Sequence, residues 1–470
     1  MSTRTPRNHP SRRSAAAVTG LVESFERRLM FAIDVTLGAG SPSQALVFSD
    51  ADGTSGQIRV SGGTATITFD GPAVAQSTSG RLTTVTGTGV TMTNMVLAGA
   101  APNVAVRTTG GSNGTVTLAG LHSTPPVRAF SGRGVVLTGP ATLDNGIGLL
   151  ELSGAQGATI TITRAGVALP QDASVTILNA ADTTIDSQQP MRQLRVGAWG
   201  AGTEGLPDSV SAPRINVLQC GGDFNADVLL SGNGQAVGVP VLGNVRVLGA
   251  LASGEWDIAG KTSRIAAGSV GSDWDGTFGD VASFSTAGDL AGSVTANSIN
   301  SLGAGTITNA EIDLTRTFAA GATALNRLNV RGAIAGTRVR STAGIGTVSA
   351  GSITGSSIFA GVFNGGGGGP ERAPLISPAS FVNPATIKSV TVRTRGTPSF
   401  VGSNISASTL GRMNLGTIQV NNGGTPYGLS GETIASVQGR RDDTGEFARV
   451  ARLTEPADGI VAGDFQVRVF

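Results

Sequence analysis

The sequence predicts an all-β protein built as a parallel β-helix (β-solenoid), with irregular β-rich N-terminal turns or a cap and a short C-terminal capping strand. Three observations lead to this fold class. Glycine supplies 70 of the 470 residues, about twice its usual share, which predicts many tight turns. Short runs of alternating apolar and polar residues, typical of strands, lie between these turns. A unit of this kind then recurs along the chain.

The repeat is clearest from residue 205 onwards, where an apolar residue follows a Gly-x pair in unit after unit. Successive copies are 19, 20, 17, 27 and 19 residues apart, and FAAGATALN within the long step predicts an inserted loop. A unit this short cannot enclose a core, so each strand must pair in parallel with its copy one turn on. The repeated apolar positions are Leu251, Val270, Leu290, Ile307, Ile334 and Ile353.

Composition and spacing divide the chain into four regions. Residues 1–35 form an export or targeting leader, and residues 36–204 are β-rich with less regular spacing. That spacing leaves two readings open, early turns of the same solenoid or a β-sandwich. Residues 205–440 carry the repeats, with an exposed Gly- and Pro-rich loop at 364–385. Residues 441–470 form a C-terminal cap, because their last strand alternates and suits the open end of a coil.

Charge is concentrated in the leader. The first 31 residues contain six arginines and two glutamates, a net charge of +4, and the other 439 residues carry 27 basic and 29 acidic side chains, a net charge of −2. A nearly neutral body predicts no nucleic-acid partner. No stretch of the chain approaches 18 consecutive apolar residues, so we expect no transmembrane helix.

The leader ends in a short motif, FERRLMF, with an apolar tail. It resembles LEPR-xLL, the N-terminal targeting motif of planctomycete surface and secreted proteins. It differs from that motif in having arginine, Arg27, at the position where the family has proline. Repeats such as SVSAPRINVLQCGGDFNADVLLSG also look like the Gly-rich bodies found behind that motif. The resemblance implies export to the cell surface or the extracellular space, and it supplies no catalytic residues. The targeting positions it marks are Phe25, Glu26, Arg28, Met30 and Phe31.

Residues for common catalytic chemistry are scarce. Cys220 is the one cysteine, and it precedes Gly-Gly in an apolar run, which predicts a buried thiol. His9 and His122 are the two histidines, too few for a multi-histidine zinc site. Asp50, Asp52 and Gly53 resemble the start of a calcium loop, but the later positions are wrong, so we expect a hairpin turn.

The sharpest constellation is acidic. EWD at 255–257 and DWD at 273–275 are 18 residues apart, so we expect Glu255 to stack over Asp273 and Asp257 over Asp275. Carboxylates beside arginines are typical of surfaces that bind sugars, and carboxylate-bound calcium with a basic side chain occurs in solenoid enzymes that resemble pectate lyases. The residues expected to form a carbohydrate or calcium patch are Glu255, Asp257, Asp273, Asp275, Arg246 and Arg264.

A simpler interpretation also fits these residues. Trp256 shares its side of the strand with Ile258, which predicts an inward-facing tryptophan and leaves the carboxylates on a solvated face.

The sequence therefore predicts an exported, non-catalytic solenoid that acts as a cell-surface, matrix or adhesive structural protein. Its expected partners are extracellular polysaccharides or other surface proteins. The alternative is a carbohydrate-active β-helix enzyme, lyase-like or hydrolytic. No cofactor or catalytic residue is assigned, and calcium is left open at the acidic patch.

Overall fold

The computed structural model describes residues 32–164, 172–203, 208–317, 319–362 and 381–470. Within these ranges the chain forms 43 strands and a short 3-10 helix at Pro456–Asp458. The strands from the ninth onwards pair predominantly in parallel, which confirms the predicted β-solenoid.

The first eight strands pair largely antiparallel. β1 pairs with β4, β2 with β3, β3 with β8, β4 with β7, and β5 with β6. β2 and β6 form a parallel pair within this part, and the parallel stacks of the coil begin where β7 meets β10 and β8 meets β11. The region 36–204 therefore contains a largely antiparallel start and parallel turns after it. The bounds are β1 (Ile33–Gly38), β2 (Ala45–Ser49), β3 (Thr54–Ser61), β4 (Thr64–Asp70), β5 (Ala75–Ser79), β6 (Leu82–Thr86), β7 (Thr91–Ala98) and β8 (Asn103–Gly110).

The remaining strands form the coil and its C-terminal end. The first group is β9 (Val116–Leu118), β10 (Leu121–Ser123), β11 (Ala129–Leu137), β12 (Ala141–Leu143), β13 (Leu149–Gln156), β14 (Thr159–Ile162), β15 (Ala173–Ala181), β16 (Thr184–Ser187), β17 (Met191–Trp199), β18 (Ser209–Ala212), β19 (Ile215–Cys220) and β20 (Asp227–Leu230). The second group is β21 (Leu242–Val247), β22 (Ala250–Ile258), β23 (Thr262–Ala267), β24 (Ser269–Thr286), β25 (Asp289–Leu290), β26 (Ser293–Ala304), β27 (Thr306–Thr308), β28 (Glu311–Leu314), β29 (Thr323–Val330), β30 (Ala333–Ala335), β31 (Arg338–Ser341), β32 (Gly344–Ala350), β33 (Ser352–Thr354) and β34 (Ser357–Ala360). The third group is β35 (Thr386–Val392), β36 (Phe400–Val401), β37 (Asn404–Ala407), β38 (Thr409–Ile418), β39 (Tyr427–Gly431), β40 (Thr433–Arg441), β41 (Phe447–Leu453), β42 (Ile460–Ala462) and β43 (Phe465–Val469).

Each turn of the coil contributes to three stacks of strands, so the coil has three outer faces. Face A contains β8, β11, β13, β15, β17, β19, β21, β23, the second half of β24, the second half of β26, β29, β32, β35, β38 and β40. Face B contains β9, β25, β27, β30, β33, β36 and the ends of longer strands that turn a corner. Face C contains β10, β12, β14, β16, β18, β20, the second half of β22, the middle of β24, the first half of β26, β28, β31, β34, β37, β39 and β43.

The six repeated apolar positions lie in one column on face B. Leu251 pairs with Val270, and each later member pairs with the next, as far as Ile353. All six side chains are buried inside the coil. The long step of 27 residues is accommodated between β28 and β29, where residues 315–317 and 319–322 lie outside the strands, and β29 begins within the quoted segment.

The interior contains a continuous aromatic stack. Trp199, Phe224, Trp256 and Trp274 follow one another with ring centroids 5.4, 5.9 and 5.7 Å apart, in edge-to-face arrangements that aromatic pairs favour. Phe284 continues the stack at 6.0 Å from Trp274. The core is therefore a column of side chains along the coil axis.

Strands close the C-terminal end. β43 pairs in parallel with β39 and antiparallel with β42, and Phe465, Val467 and Val469 are buried on its inner side. β41 pairs antiparallel with β40 and covers part of the last edge of face A. No helix in the part of the chain described here is long and apolar enough to cross a membrane.

The segment that resembled a calcium loop forms a hairpin turn, as predicted. It joins β2 to β3, with Gly53 at φ +86°. The Asp52 carboxylate accepts hydrogen bonds from the Thr54 hydroxyl and from the Ser112 hydroxyl at 2.6 and 2.8 Å. These bonds, together with one to Asp50, hold the pKa of Asp52 well below its usual range. The carboxylate therefore ties together two loops of the N-terminal region.

Candidate functional site

The predicted acidic residues lie together on the outer side of face C. Glu255 and Asp257 belong to β22, Asp273 and Asp275 belong to β24, and all four side chains are exposed. The two tryptophans between them, Trp256 and Trp274, are fully buried. The predicted inward orientation of Trp256 is therefore correct.

The predicted stacking of these carboxylates is wrong. Asp275 lies opposite Glu255, whereas Asp273 lies opposite Ser253 and Asp257 opposite Thr277. The cause is a register shift between Leu251 and Ser253, which changes the step between turns from 19 to 20 residues.

The tryptophans fit the shifted register. Trp256 faces Gly276, and Trp274 faces Gly254 on the neighbouring strand. A Cβ atom on Gly276 would lie 2.3 Å from the Trp274 ring and 2.5 Å from the Phe278 ring. The Trp274 indole thus occupies space beside Gly276 that a larger side chain there would fill, and the exposed carboxylates follow the register that the core sets.

One more carboxylate adjoins this group. Asp227 on β20 accepts a hydrogen bond from the Glu255 backbone amide at 2.7 Å. Asp227, Glu255 and Asp275 therefore mark three consecutive turns of face C. In the described ranges, however, no three acidic, histidine or cysteine side chains converge on a point that could hold a metal ion.

The predicted arginines lie on a different face. Arg246 on β21 lies opposite Ala266, and Arg264 on β23 lies opposite Asn244 and Ser283, all on face A. The six residues of the proposed patch are therefore divided, with four carboxylates on face C and two guanidinium groups on face A.

A second charged cluster on face C was not found by sequence reasoning. Glu311 and Asp313 on β28 lie opposite Arg338 and Arg340 on β31. Arg338 forms ion pairs with Glu311 and, at 3.8 Å, with Asp313. Burial raises the pKa of the Asp313 carboxyl, and attraction to Arg340 offsets part of that rise. The signal was present as EID and RVR at 311–313 and 338–340, but the inserted loop between them concealed the pairing.

The remaining residues singled out in the sequence are the cysteine, the targeting positions and the Gly- and Pro-rich loop. Cys220 is buried, as predicted, and burial raises the pKa of its thiol. The targeting positions Phe25, Glu26, Arg28, Met30 and Phe31 lie outside the described residues, as does most of the loop at 364–385.

Open grooves lie towards the ends of the coil and not at the acidic residues. One of about 570 Å³ is lined by Gln44, Arg59 and Arg81, and another of about 630 Å³ by Asn414, Gln438 and Arg440. Neither groove includes a carboxylate among its lining residues.

The fold and the surface together define a three-sided parallel β-solenoid whose outer faces carry repeated polar side chains. Comparison with protein-family models, curated proteins and solved structures finds no match to this chain.

Proposed function

We propose that this chain is an exported, non-catalytic solenoid that serves as a structural or adhesive component of a cell surface or matrix. The observation that carries this proposal is the regular outer surface of face A. One column along it consists mainly of hydroxyl, amide and guanidinium side chains, in register from turn to turn. Its members are Asn244, Arg264, Ser283, Ser301, Arg327, Thr347, Ser389, Arg412 and Ser436.

A surface of this kind suits weak contacts that repeat along the coil. Neighbouring strands are about 4.8 Å apart, so equivalent polar groups recur at a fixed short interval. Many weak contacts with an extended partner add up to firm attachment, provided that all can form at once. The resemblance of FERRLMF to a planctomycete targeting motif supports a place outside the cytoplasm.

Cell fractionation with mass spectrometry of the mature N-terminus tests the export. We expect the protein in the surface or extracellular fraction, with its N-terminus trimmed near Ala32. A matched variant with Glu26→Ala and Arg28→Ala should remain in the cytoplasm, because it alters two positions of the motif and leaves the body unchanged. A wild-type protein that stays in the cytoplasm with Met1 intact would refute the proposal.

A carbohydrate-active enzyme is the second candidate, and the pairing of Glu255 with Asp275 favours it. Facing side chains on neighbouring strands have Cβ atoms about 4.5–5.5 Å apart, which is close to the spacing of two carboxyls in a retaining glycosidase. Calcium could also contact oxygen atoms of this column.

The double variant Asp273→Ala with Asp275→Ala separates the two candidates. Because we assign these carboxylates no catalytic role, we expect polysaccharide binding with and without calcium to be unchanged, and no sugar release from either protein. The readouts are calorimetric titration and reducing-end assays on an acidic and a neutral polysaccharide. Calcium-dependent binding or cleavage that disappears in the variant would support the enzyme instead.

A further inference from the structure

Charged side chains are sorted by sign between two faces of the coil. The face A segments from β17 to β38 carry seven basic residues and one acidic residue, Asp280 in the second half of β24, whereas the face C segments from β16 to β28 carry eight acidic residues and no basic one. The basic set is Arg192, Arg195, Arg246, Arg264, Arg327, Lys388 and Arg412, and all of these are exposed. The acidic set is Asp186, Asp227, Glu255, Asp257, Asp273, Asp275, Glu311 and Asp313, and the first six are exposed.

These charges are largely unneutralised within one chain. Across the described residues, none of the seven basic side chains forms an ion pair, and of the eight acidic ones only Glu311 and Asp313 do. Like charges on neighbouring strands repel one another. The electrostatic free energy of each face is therefore higher in the isolated chain than it would be against a surface of opposite charge.

The two faces also match in position along the axis. Each strand of face C is followed in the chain by a strand of face A in the same turn, so the two lie at about the same level. Acidic levels on face C coincide with basic levels on face A at four turns. These are Asp186 with Arg192 and Arg195, Asp227 with Arg246, Glu255 and Asp257 with Arg264, and Glu311 and Asp313 with Arg327.

We propose that face A of one copy of this chain packs on face C of a second copy, with the two axes parallel and the turns level. In that arrangement four of the five acidic levels of one copy meet basic levels of its neighbour. The contact uses two different patches, so each copy keeps a free face A or face C and the association can continue to further copies around a ring. This pairing rests on the positions of the charges and does not require that the chain be exported.

The area of face A is close to what such a contact needs. Face A presents eleven strands from β17 to β40. At about 4.8 Å between strands and about 3.3 Å per residue, eleven strands of four residues cover roughly 50 by 13 Å, or about 650 Å². A standard interface uses about 800 Å² on each partner, so the face alone supplies most of that area.

Sedimentation velocity of the full-length protein at two salt concentrations tests the proposal. At an ionic strength of about 0.01 M, where charges act over roughly 30 Å, we expect the wild-type protein to form dimers and larger species that grow with concentration. At about 1 M, where the range falls to roughly 3 Å, we expect the monomer.

Charge reversal identifies the two faces. Arg246→Glu with Arg264→Glu makes face A acidic at two levels, and Glu255→Lys with Asp257→Lys makes face C basic at one. Each double variant alone should remain monomeric at low salt. An equimolar mixture should associate again, because the unreversed acidic face C of the first variant fits the unreversed basic face A of the second.

The control is Arg59→Glu with Arg395→Glu, which lowers the net charge by as much as the face A variant does, at exposed positions that belong to neither set. It should associate like the wild type, and circular dichroism should show every variant folded. A wild-type protein that stays monomeric at low salt would overturn the proposal. This holds also if face A instead binds an acidic polysaccharide through Arg246 and Arg264. A mixture of the two reversed variants that remains monomeric would overturn it as well.

Discussion

Replacing Trp256 by alanine should lower the free energy of unfolding of the central turns by about 3–5 kcal/mol, the usual cost of deleting a large buried aromatic side chain. Trp256 is fully buried and packs edge-to-face on Phe224 and Trp274, with centroids 5.9 and 5.7 Å away. Its indole N–H donates a hydrogen bond to the Ala226 carbonyl at 3.2 Å. The substitution therefore removes a hydrogen bond as well as the middle of the aromatic stack.

The effect should be local before it becomes global. In a solenoid each turn contacts only its neighbours, so a weak turn opens without the distant ones. Hydrogen exchange should accelerate most in β20, β22 and β24 and least in the N-terminal strands β1 to β8.

The matched control is the next residue, Asp257→Ala. It lies on the same strand, but its side chain is exposed on the outer face. We expect a change within about 0.5 kcal/mol, as for most surface substitutions. Equal denaturation midpoints for the tryptophan variant and the wild type would contradict the stacked core.

The sequence was most informative about positions that face the interior. The column from Leu251 to Ile353 could be predicted because a one-residue shift in strand register would expose an apolar side chain to solvent. Burial of Cys220 and the hairpin turn at Gly53 followed from equally local signals.

Outward-facing positions were harder to predict because nothing forces their register. The 18-residue spacing of EWD and DWD suggested that Glu255 stacks on Asp273, but the register shift after Leu251 places Asp275 there instead. The division of Arg246 and Glu255 between two faces depends on where the chain turns each corner, and composition does not reveal that. The antiparallel pairing of the first eight strands was likewise hidden by their irregular spacing.

Some glycines explain why the turns can lie so close. A Cβ atom on Gly243 would be 2.0 Å from the Asn216 carbonyl oxygen of the preceding turn, so no larger residue fits without moving the backbone. On the same face, Gly303 has no neighbour nearer than 3.8 Å. The high glycine content therefore has at least two origins, and sequence alone does not separate glycines that permit close approach from those that do not.

A disulfide across two turns tests the register on which the site and the proposed contact both depend. We expect Glu255→Cys with Asp275→Cys to form an intramolecular disulfide under mild oxidation, in a Cys220→Ala background. Facing residues on parallel strands have Cα atoms about 4.8 Å apart, within the 4.4–6.8 Å that a disulfide spans. The control, Glu255→Cys with Asp273→Cys, joins positions offset by two residues, about 7–8 Å apart, and should stay reduced.

Intact-mass analysis after alkylation reads the outcome in a single spectrum. The register of the coil predicts that both thiols of the Glu255→Cys with Asp275→Cys pair are protected from alkylation. It predicts that the Glu255→Cys with Asp273→Cys pair gains two alkyl groups. Protection in the second pair and alkylation of the first would contradict it, because that result would restore the 18-residue step and give the carboxylates of β22 and β24 different neighbours.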